Sequence, residues 1–170
     1  MDLFVGRATR DHADIEIGVF REDQAALREH LSASGWNCLR CSDKTWLPWH
    51  AGEWIRLTDF QLMARHATLE PREFEFFLDG HADGRWICRR HPAITVPLDE
   101  FTLTRTMPDG GPVLPFLRPE IQLLYKAKYH RPKDDGDFDN ALPLMSPTQR
   151  QWLREALQQV HPQDPWLARL

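Results

Sequence analysis

Two short segments of the chain alternate polar and apolar residues with a period of two, which is the pattern of β-strands. They are residues 14–20 and residues 73–78, and both place acidic residues two positions apart. Side chains at positions i and i+2 of a strand point to the same face. Each predicted strand therefore presents carboxylates side by side on one of its faces.

Neighbouring carboxylates repel each other, and a shared cation relieves that repulsion. Mg²⁺ takes one or two carboxylates and completes its shell with water and phosphate oxygens. Asp14 and Glu16 are therefore candidate metal ligands. On the second strand Glu75, which lies between aromatic residues, is preferred over Glu73 and Asp79 as a third ligand or as the acceptor of a hydroxyl proton. The alternative for both strands is a solvated acidic face.

Turn and capping residues divide the chain into further elements. Residues 79–84 predict a hairpin turn, with residues 85–90 returning as the partner strand and residues 94–98 as another short strand. Helices are predicted at residues 21–34, at residues 120–129 after Pro119, and after a capping box that begins at Ser146. The loop at residues 107–112 separates a predicted sheet domain, residues 1–106, from a predicted helical portion, residues 107–170.

Composition narrows the classes of partner. The formal net charge is -4 and the pI is about 6.0, so binding of nucleic acid would need a local basic patch and is not expected. The sequence contains no apolar run long enough for a membrane span, its first residues lack the basic start of a signal peptide, and its 3 cysteines suit a reducing compartment. We therefore expect a cytoplasmic protein.

The first 20 or so residues contain a dense motif, which consists of Gly6, Arg7, Thr9, Arg10, His12, Asp14 and Glu16. This motif resembles the signature of the aminoglycoside 2''-adenylyltransferases, a group within the nucleotidyltransferase superfamily. Residues 86–90, 119–128 and 131–138 are similar to the helical half of related bacterial nucleotidyltransferase-like proteins. The resemblance thus spans most of the chain and is densest at its start.

This resemblance implies an α/β (α+β) fold with a small mixed sheet, flanking helices and a helical C-terminal portion. It also implies a Mg²⁺-dependent enzyme that moves a nucleoside monophosphate from a nucleoside triphosphate, most simply ATP, to a hydroxyl of an aminoglycoside-like small molecule. In that interpretation Asp14, Glu16 and Glu75 hold the metal and carry the catalysis. Arg10, Lys126 and Lys128 would contact the nucleotide. Lys133, Asp134 and Asp137 are instead expected to form ion pairs on a helix surface.

The sequence departs from the family at one motif. The family carries a glycine pair before its acidic pair, and this chain has none there. We expect either that the sequence is shortened at its N-terminus or that the phosphate cradle is lost. The alternative function is a non-catalytic binding or interaction protein of the same fold. Loss of a preceding strand also predicts a homodimer or an unpaired sheet edge.

Overall fold

The structure is a computed structural model that describes Met1–Leu170, apart from the side chain of Asp109. The chain packs as two compact units, one formed by His12–Thr95 and the other by Met1–Asp11 with Val96–Leu170. The predicted division between residues 106 and 107 falls inside the second unit. That division into a sheet domain and a helical portion stays a prediction.

The helices and strands are numbered in chain order. The α-helices are α1 Asp2–Val5, α2 Gln24–Ala33, α3 Pro119–Lys126, α4 Pro132–Ala141 and α5 Pro147–Val160. The strands are β1 Glu16–Phe20, β2 Asn37–Ser42, β3 Thr45–Pro48, β4 Gln61–Arg65, β5 Glu73–Ala82, β6 Arg85–Ile87, β7 Thr95–Pro97, β8 Thr102–Thr106 and β9 Val113–Leu117.

The main sheet is mixed, as the sequence predicts. Its strand order is β3-β2-β4-β5-β6-β7, and β1 lies beside β5. β1 runs parallel to β5, whereas β2, β3, β4 and β6 pair with their neighbours in the antiparallel sense. Among the described strands, β5 is the sheet neighbour of β1, so β1 has one strand edge without a strand partner.

One face of this sheet forms the core of the His12–Thr95 unit. The alternation along β5 sends Phe76 and Leu78 into that core, where they pack with Leu62 and Ala64 of β4 and Leu31 of α2. The other side-chain set of β5, which includes Glu75, lies on the opposite face. The core thus fixes which face of the sheet carries the acidic residues.

Two polar side chains tie the start of α2 to the segment before β4. The Ile55 amide donates to Oε1 of the fully buried Gln24 at 2.7 Å. The guanidinium of Arg21 donates to the carbonyl oxygens of Ile55, Arg56 and Asp59 at 2.8–3.3 Å. These contacts satisfy backbone groups of an irregular segment that has no ladder partner.

The second unit combines a two-stranded sheet with helices. β8 and β9 pair in the antiparallel sense across the loop at residues 107–112. The sequence analysis missed this hairpin because Pro115 interrupts the second strand, and proline is tolerated only at sheet edges. α3 packs against α4 and α5, which confirms helices in the C-terminal part of the chain.

Most predicted elements are confirmed, and one turn is wrong. Asp79 and Gly80 belong to β5, which continues to Ala82. The turn is only Asp83 and Gly84, both left-handed with φ of 51° and 70°. A two-residue turn with positive φ at both positions matches the twist of a hairpin, so it allows a longer strand than the six-residue turn that was predicted.

The length and hydropathy of the helices decide whether one of them could span a membrane. Within the part of the chain that the structure describes, none of them is both long and apolar enough to cross a bilayer.

We predict that Ser146→Ala lowers the free energy of unfolding by about 1 kcal/mol, the usual contribution of an N-cap. Ser146 Oγ accepts from the Gln149 amide at 3.2 Å, and Gln149 Oε1 accepts from the Ser146 amide at 2.9 Å. Urea denaturation measures the change. Ser146→Asp keeps the acceptor and is the control, and equal losses in both variants would contradict the capping role.

Candidate functional site

The acidic residues predicted from the sequence meet where β1 lies against β5. Glu16 and Glu75 are register partners across the two parallel strands. The Glu75 amide donates to the Ile15 carbonyl at 3.0 Å, so the segment that carries Asp14 is held at the same place. Glu16 and Glu75 therefore share one sheet face. The predicted strand over residues 14–20 is too long at its start, because β1 begins at Glu16, and Asp14 lies just before the strand, close enough for its charge to act on Glu75.

Electrostatics make Glu75 the unusual carboxyl of this group. Its burial raises its pKa, the hydrogen bond from Gln61 Nε2 at 3.1 Å lowers it, and the nearby carboxylates of Glu16 and Asp14 raise it again. The net direction is upward from the ordinary value. Glu75 therefore holds a proton more readily than an ordinary glutamate, and a nearby cation would favour its charged form.

Two other acidic residues of β5 have cationic partners. Glu73 is exposed and pairs with Arg65 at 2.6 Å. Asp79 is buried and accepts from Nη1 of Arg89 at 3.0 Å. Burial raises the pKa of Asp79, and the charge of Arg89 offsets only part of that rise. The partner of Glu75 is instead the neutral amide of Gln61, which favours Glu75 as the reactive carboxyl of the strand.

The metal prediction concerns the same three carboxyls. Among the described residues, no group of three His, Cys, Asp or Glu side chains is arranged to hold a metal ion. Mg²⁺ needs only one or two carboxylates from a protein when phosphate oxygens and water supply the rest. The donor chemistry of Asp14 and Glu16 suits that mode of binding, and their role as ligands stays a prediction.

The second unit holds two of the predicted nucleotide contacts in ion pairs. Nε and Nη2 of Arg10 donate to the two carboxylate oxygens of Asp137 at 3.2 and 3.3 Å. Lys126 Nζ lies 2.8 Å from the same carboxylate and 3.4 Å from Asp134. Burial raises the pKa of Asp137, but the hydrogen bonds from Arg10 and Lys126 outweigh it and the net direction is downward.

The sequence predicted that the ion pairs of α4 lie on the surface of the helix, and this prediction is wrong for Asp134 and Asp137. Asp134 and Asp137 are buried, with relative exposures of 0% and 1%. Arg131 closes the cluster, with Nε 2.7 Å from Asp134. The sequence suggested surface positions because acidic residues are rarely buried, yet burial is tolerated where each carboxylate has cationic partners.

Lys128 differs from Arg10 and Lys126 in its surroundings. It is exposed, and its Nζ lies 4.9 Å from the centre of the Tyr129 ring. The contact of Arg10, Lys126 and Lys128 with a nucleotide stays a prediction for all three residues.

The sequence analysis missed an aromatic and cationic group on the carboxylate side of β5. Phe60 and Phe77 stack with ring centres 6.4 Å apart, and the guanidinium of Arg89 lies 4.8 Å and 5.4 Å from their centres. Phe77 follows Glu75 by two residues and so shares its face. The signal that could have found this group is Phe77 itself, an apolar residue at an otherwise acidic position of the alternation.

A separate cavity of about 280 Å³ lies in the His12–Thr95 unit. Its charged residues pair with one another: Arg40 lies 2.7 Å from Glu53, and Arg56 lies 3.0 Å from Asp59. The exposed Trp54 forms part of its lining. These internal pairs account for the charges of the cavity, and none of the predicted site residues lines it.

Comparison with solved structures identifies the fold. The chain is similar to the crystal structure of the lincosamide antibiotic adenylyltransferase LnuA with lincomycin bound, with a TM-score of 0.56 and 16% sequence identity. The match covers 85% of this chain and 81% of that protein. No protein-family model matches the sequence, and no curated protein matches it. The likeness confirms a nucleotidyltransferase-like α/β fold.

We predict that Glu75→Gln stabilises the protein at pH 8 in the absence of divalent cations. Because the pKa of Glu75 is raised in the folded state, the protonated carboxyl stabilises the fold fully at a pH below the ordinary pKa of 4.5. This stabilisation is lost as the pH rises through the pKa of the folded state. The gain from glutamine should therefore shrink as the pH is lowered toward 4.5. Urea denaturation at both pH values measures this, and a variant less stable than the wild type at pH 8 contradicts it.

We also predict that Asp137→Asn destabilises the protein by about 3 kcal/mol, since it removes the buried carboxylate that pairs with Arg10 and leaves Lys126 with Asp134 alone. The matched control is Asp139→Asn on the same helix. Asp139 pairs with Arg169 at the surface, with 56% of its side chain exposed, and such pairs contribute at most about 1 kcal/mol. Equal losses in the two variants would show that the buried cluster has no special role.

Proposed function

We propose that this protein is a Mg²⁺-dependent nucleotidyltransferase that transfers a nucleoside monophosphate from a nucleoside triphosphate, most simply ATP, to a hydroxyl of a small molecule. The observation that carries the proposal is the register pairing of Glu16 with Glu75, with Asp14 beside them. The nucleotidyltransferase-like fold supports it, because a phosphoryl-type transfer needs positioned carboxylates and little covalent chemistry from the protein.

Asp14 and Glu16 would hold the metal together with the nucleotide. Burial is the main cause of the raised pKa of Glu75, and the carboxylates of Glu16 and Asp14 raise that pKa further. When bound, a divalent cation would neutralise charge on the phosphates. Glu75 would become a third ligand only after a rearrangement of side chains, because the described residues include no ready group of three ligands, and its hydrogen bond to Gln61 favours a second role.

That second role is the acceptance of a proton. A carboxyl with a pKa above the ordinary value is a better general base near neutral pH than an ordinary glutamate. Glu75 would take the proton from the acceptor hydroxyl as its oxygen attacks the α-phosphorus, and pyrophosphate would leave. Gln61 Nε2, 3.1 Å from Glu75 Oε2, would keep the carboxylate oriented during this transfer.

Arg10, Lys126 and Lys128 are the proposed contacts to the nucleotide. Arg10 and Lys126 share the carboxylate of Asp137, so a phosphate would compete with that aspartate for them. The side chain of Arg10 keeps a relative exposure of 25%. Lys128 is exposed and needs no such exchange.

The acceptor is proposed to be an aminoglycoside-like or comparable hydroxyl-bearing compound. LnuA, whose structure contains lincomycin, supports a small antibiotic-like acceptor rather than a macromolecule. An acidic face and aromatic side chains also suit a polar cation.

A second candidate function is a non-catalytic binding protein of the same fold. The observation that favours it is the pairing of Arg10 and Lys126 with buried aspartates, which occupies two of the three proposed nucleotide contacts. This alternative predicts that nucleotides do not bind in a metal-dependent way.

Calorimetric titration of ATP, and separately of GTP, in the presence of Mg²⁺ distinguishes the two functions. The enzyme interpretation predicts binding that requires Mg²⁺ and is lost in the Asp14→Asn, Glu16→Gln double variant. Removal of two ligands should weaken binding by at least about 100-fold, or roughly 2.7 kcal/mol.

Glu73→Gln is the matched control, because it removes a carboxylate from the same strand face at an exposed position paired with Arg65. Its affinity for Mg²⁺ and ATP should equal that of the wild type. Binding that is independent of Mg²⁺, or equal in the double variant, would contradict the proposed site. Complete absence of nucleotide binding would favour the non-catalytic alternative.

A further inference from the structure

His130 lies in the short connection between α3 and α4, and its ring is held between two carboxylates. Nδ1 of the ring lies 3.0 Å from Oδ1 of Asp135 in α4. Nε2 lies 2.9 Å from Oδ2 of Asp164, a buried residue that precedes the short 3₁₀-helix Pro165–Ala168. Both nitrogens of the imidazole therefore face a carboxylate oxygen at hydrogen-bond distance.

This geometry fits the protonated form of the ring. A carboxylate oxygen accepts hydrogen bonds and cannot donate one, whereas a neutral imidazole has one donor nitrogen and one acceptor nitrogen. A neutral His130 would therefore set the lone pair of one nitrogen against a carboxylate oxygen 2.9 or 3.0 Å away. The imidazolium donates to both carboxylates and satisfies the whole arrangement.

The surrounding charges favour that proton. Burial lowers the pKa of His130, but the hydrogen bonds and charges of Asp135 and Asp164 outweigh it. The net direction is upward from the ordinary value of 6.5.

The neighbouring charged side chains of α3, α4 and the C-terminal segment, residues 161–170, are paired with one another. The pairs are Arg131 with Asp134, Lys126 with Asp134 and Asp137, Arg10 with Asp137, and Arg169 with Asp139. Lys128 Nζ lies over the ring of Tyr129. Asp135 and Asp164 are thus the charges that act directly on His130.

The same two carboxylates hold the C-terminal segment. Asp164 Oδ1 accepts from the amide of Trp166, and Asp135 Oδ1 accepts from its indole nitrogen, both at 2.9 Å. The buried ring of Trp166 stacks on Phe138 of α4 with 4.4 Å between ring centres, and it meets the ring of His130 edge to face. His130 therefore joins the two carboxylates that fasten Trp166 to α4.

The backbone of His130 is strained. Its φ is 44°, in the left-handed region that disfavours residues other than glycine. Such a conformation persists where the surrounding structure fixes it. The bonds of the ring to Asp135 and Asp164 supply this restraint, so loss of one of them leaves the strain less opposed.

We propose that His130 is a pH-sensitive latch, whose proton fastens the C-terminal segment to α4 and whose deprotonation releases that segment. Because the pKa of His130 is raised in the folded state, the latch is fully closed below the ordinary pKa of 6.5 and opens as the pH rises through the folded-state pKa. The latch does not depend on the proposed nucleotide transfer, since none of the proposed metal ligands takes part in it.

Two quantities are followed by NMR from pH 6 to pH 9.5: the titration of the His130 ring protons and the hydrogen-exchange protection of the Trp166 amide, relative to its intrinsic exchange rate. The pKa of His130 should lie above 6.5. Protection of Trp166 should fall at least about tenfold as His130 loses its proton, which is the effect of losing a hydrogen bond to a charged group. The amide of Leu153, buried in α5, should stay protected and so excludes global unfolding.

Asp164→Asn distinguishes the latch from a histidine that is merely structural. The amide nitrogen of asparagine can donate to Nε2 of a neutral His130, while its oxygen still accepts from the Trp166 amide. Protection of Trp166 should therefore stay high across the whole pH range in this variant. His161→Gln is the matched control, because His161 meets Asp164 through its backbone carbonyl at 2.9 Å. This control should lose protection as the wild type does.

Three results would overturn the latch. They are a pKa of His130 at or below 6.5, a Trp166 protection that stays constant from pH 6 to pH 9.5 in the wild type, and an equal pH dependence in Asp164→Asn and the wild type. The first two are measured on the wild type, so the test stands even if a variant does not fold.

Discussion

The parallel pairing of β1 with β5 is the interaction on which the candidate site depends. It is a parallel ladder in a sheet whose other described ladders are antiparallel. The register sets Glu16 against Glu75, and a shift by one residue would turn one of them to the opposite face. Val19 of β1 packs against the core that contains Phe76 and Leu78 of β5, and this packing opposes the shift. The packing of apolar residues therefore places the carboxylates.

The two units handle charge in opposite ways. In the His12–Thr95 unit, Glu75 is half-buried beside other carboxylates, and its pKa is raised. In the other unit, Asp137 is almost fully buried between Arg10 and Lys126, and its pKa is lowered. The first arrangement stores unfavourable charge that a cation or a proton relieves, which is typical of functional sites. The second satisfies its own charges and stabilises the packing of α3 and α4.

The sequence predicted the carboxylate strands well because the alternation of Glu73, Phe74, Glu75 and Phe76 encodes both the strand and its buried face. It also predicted the helix that starts at Ser146, whose capping box is visible as a local motif. It could not predict that Asp134 and Asp137 are buried, because Arg10 and Lys126 come from other parts of the chain and only Arg131 is a local partner. The β8–β9 hairpin was missed for a different reason, since Pro115 disguises the second strand although the pairing across the loop is local.

The central claim is that a divalent cation and a nucleotide bind at the carboxylate face of β1 and β5. Paramagnetic broadening by Mn²⁺, added with ATP to isotopically labelled protein, tests it most directly, because the broadening falls off steeply with distance from the ion. We predict that the amide signals of Glu16 and Glu75 disappear at a lower Mn²⁺ concentration than those of Asp43 and Glu53, which line the separate cavity. Broadening centred on Asp43 and Glu53, or none in the presence of ATP, would contradict it.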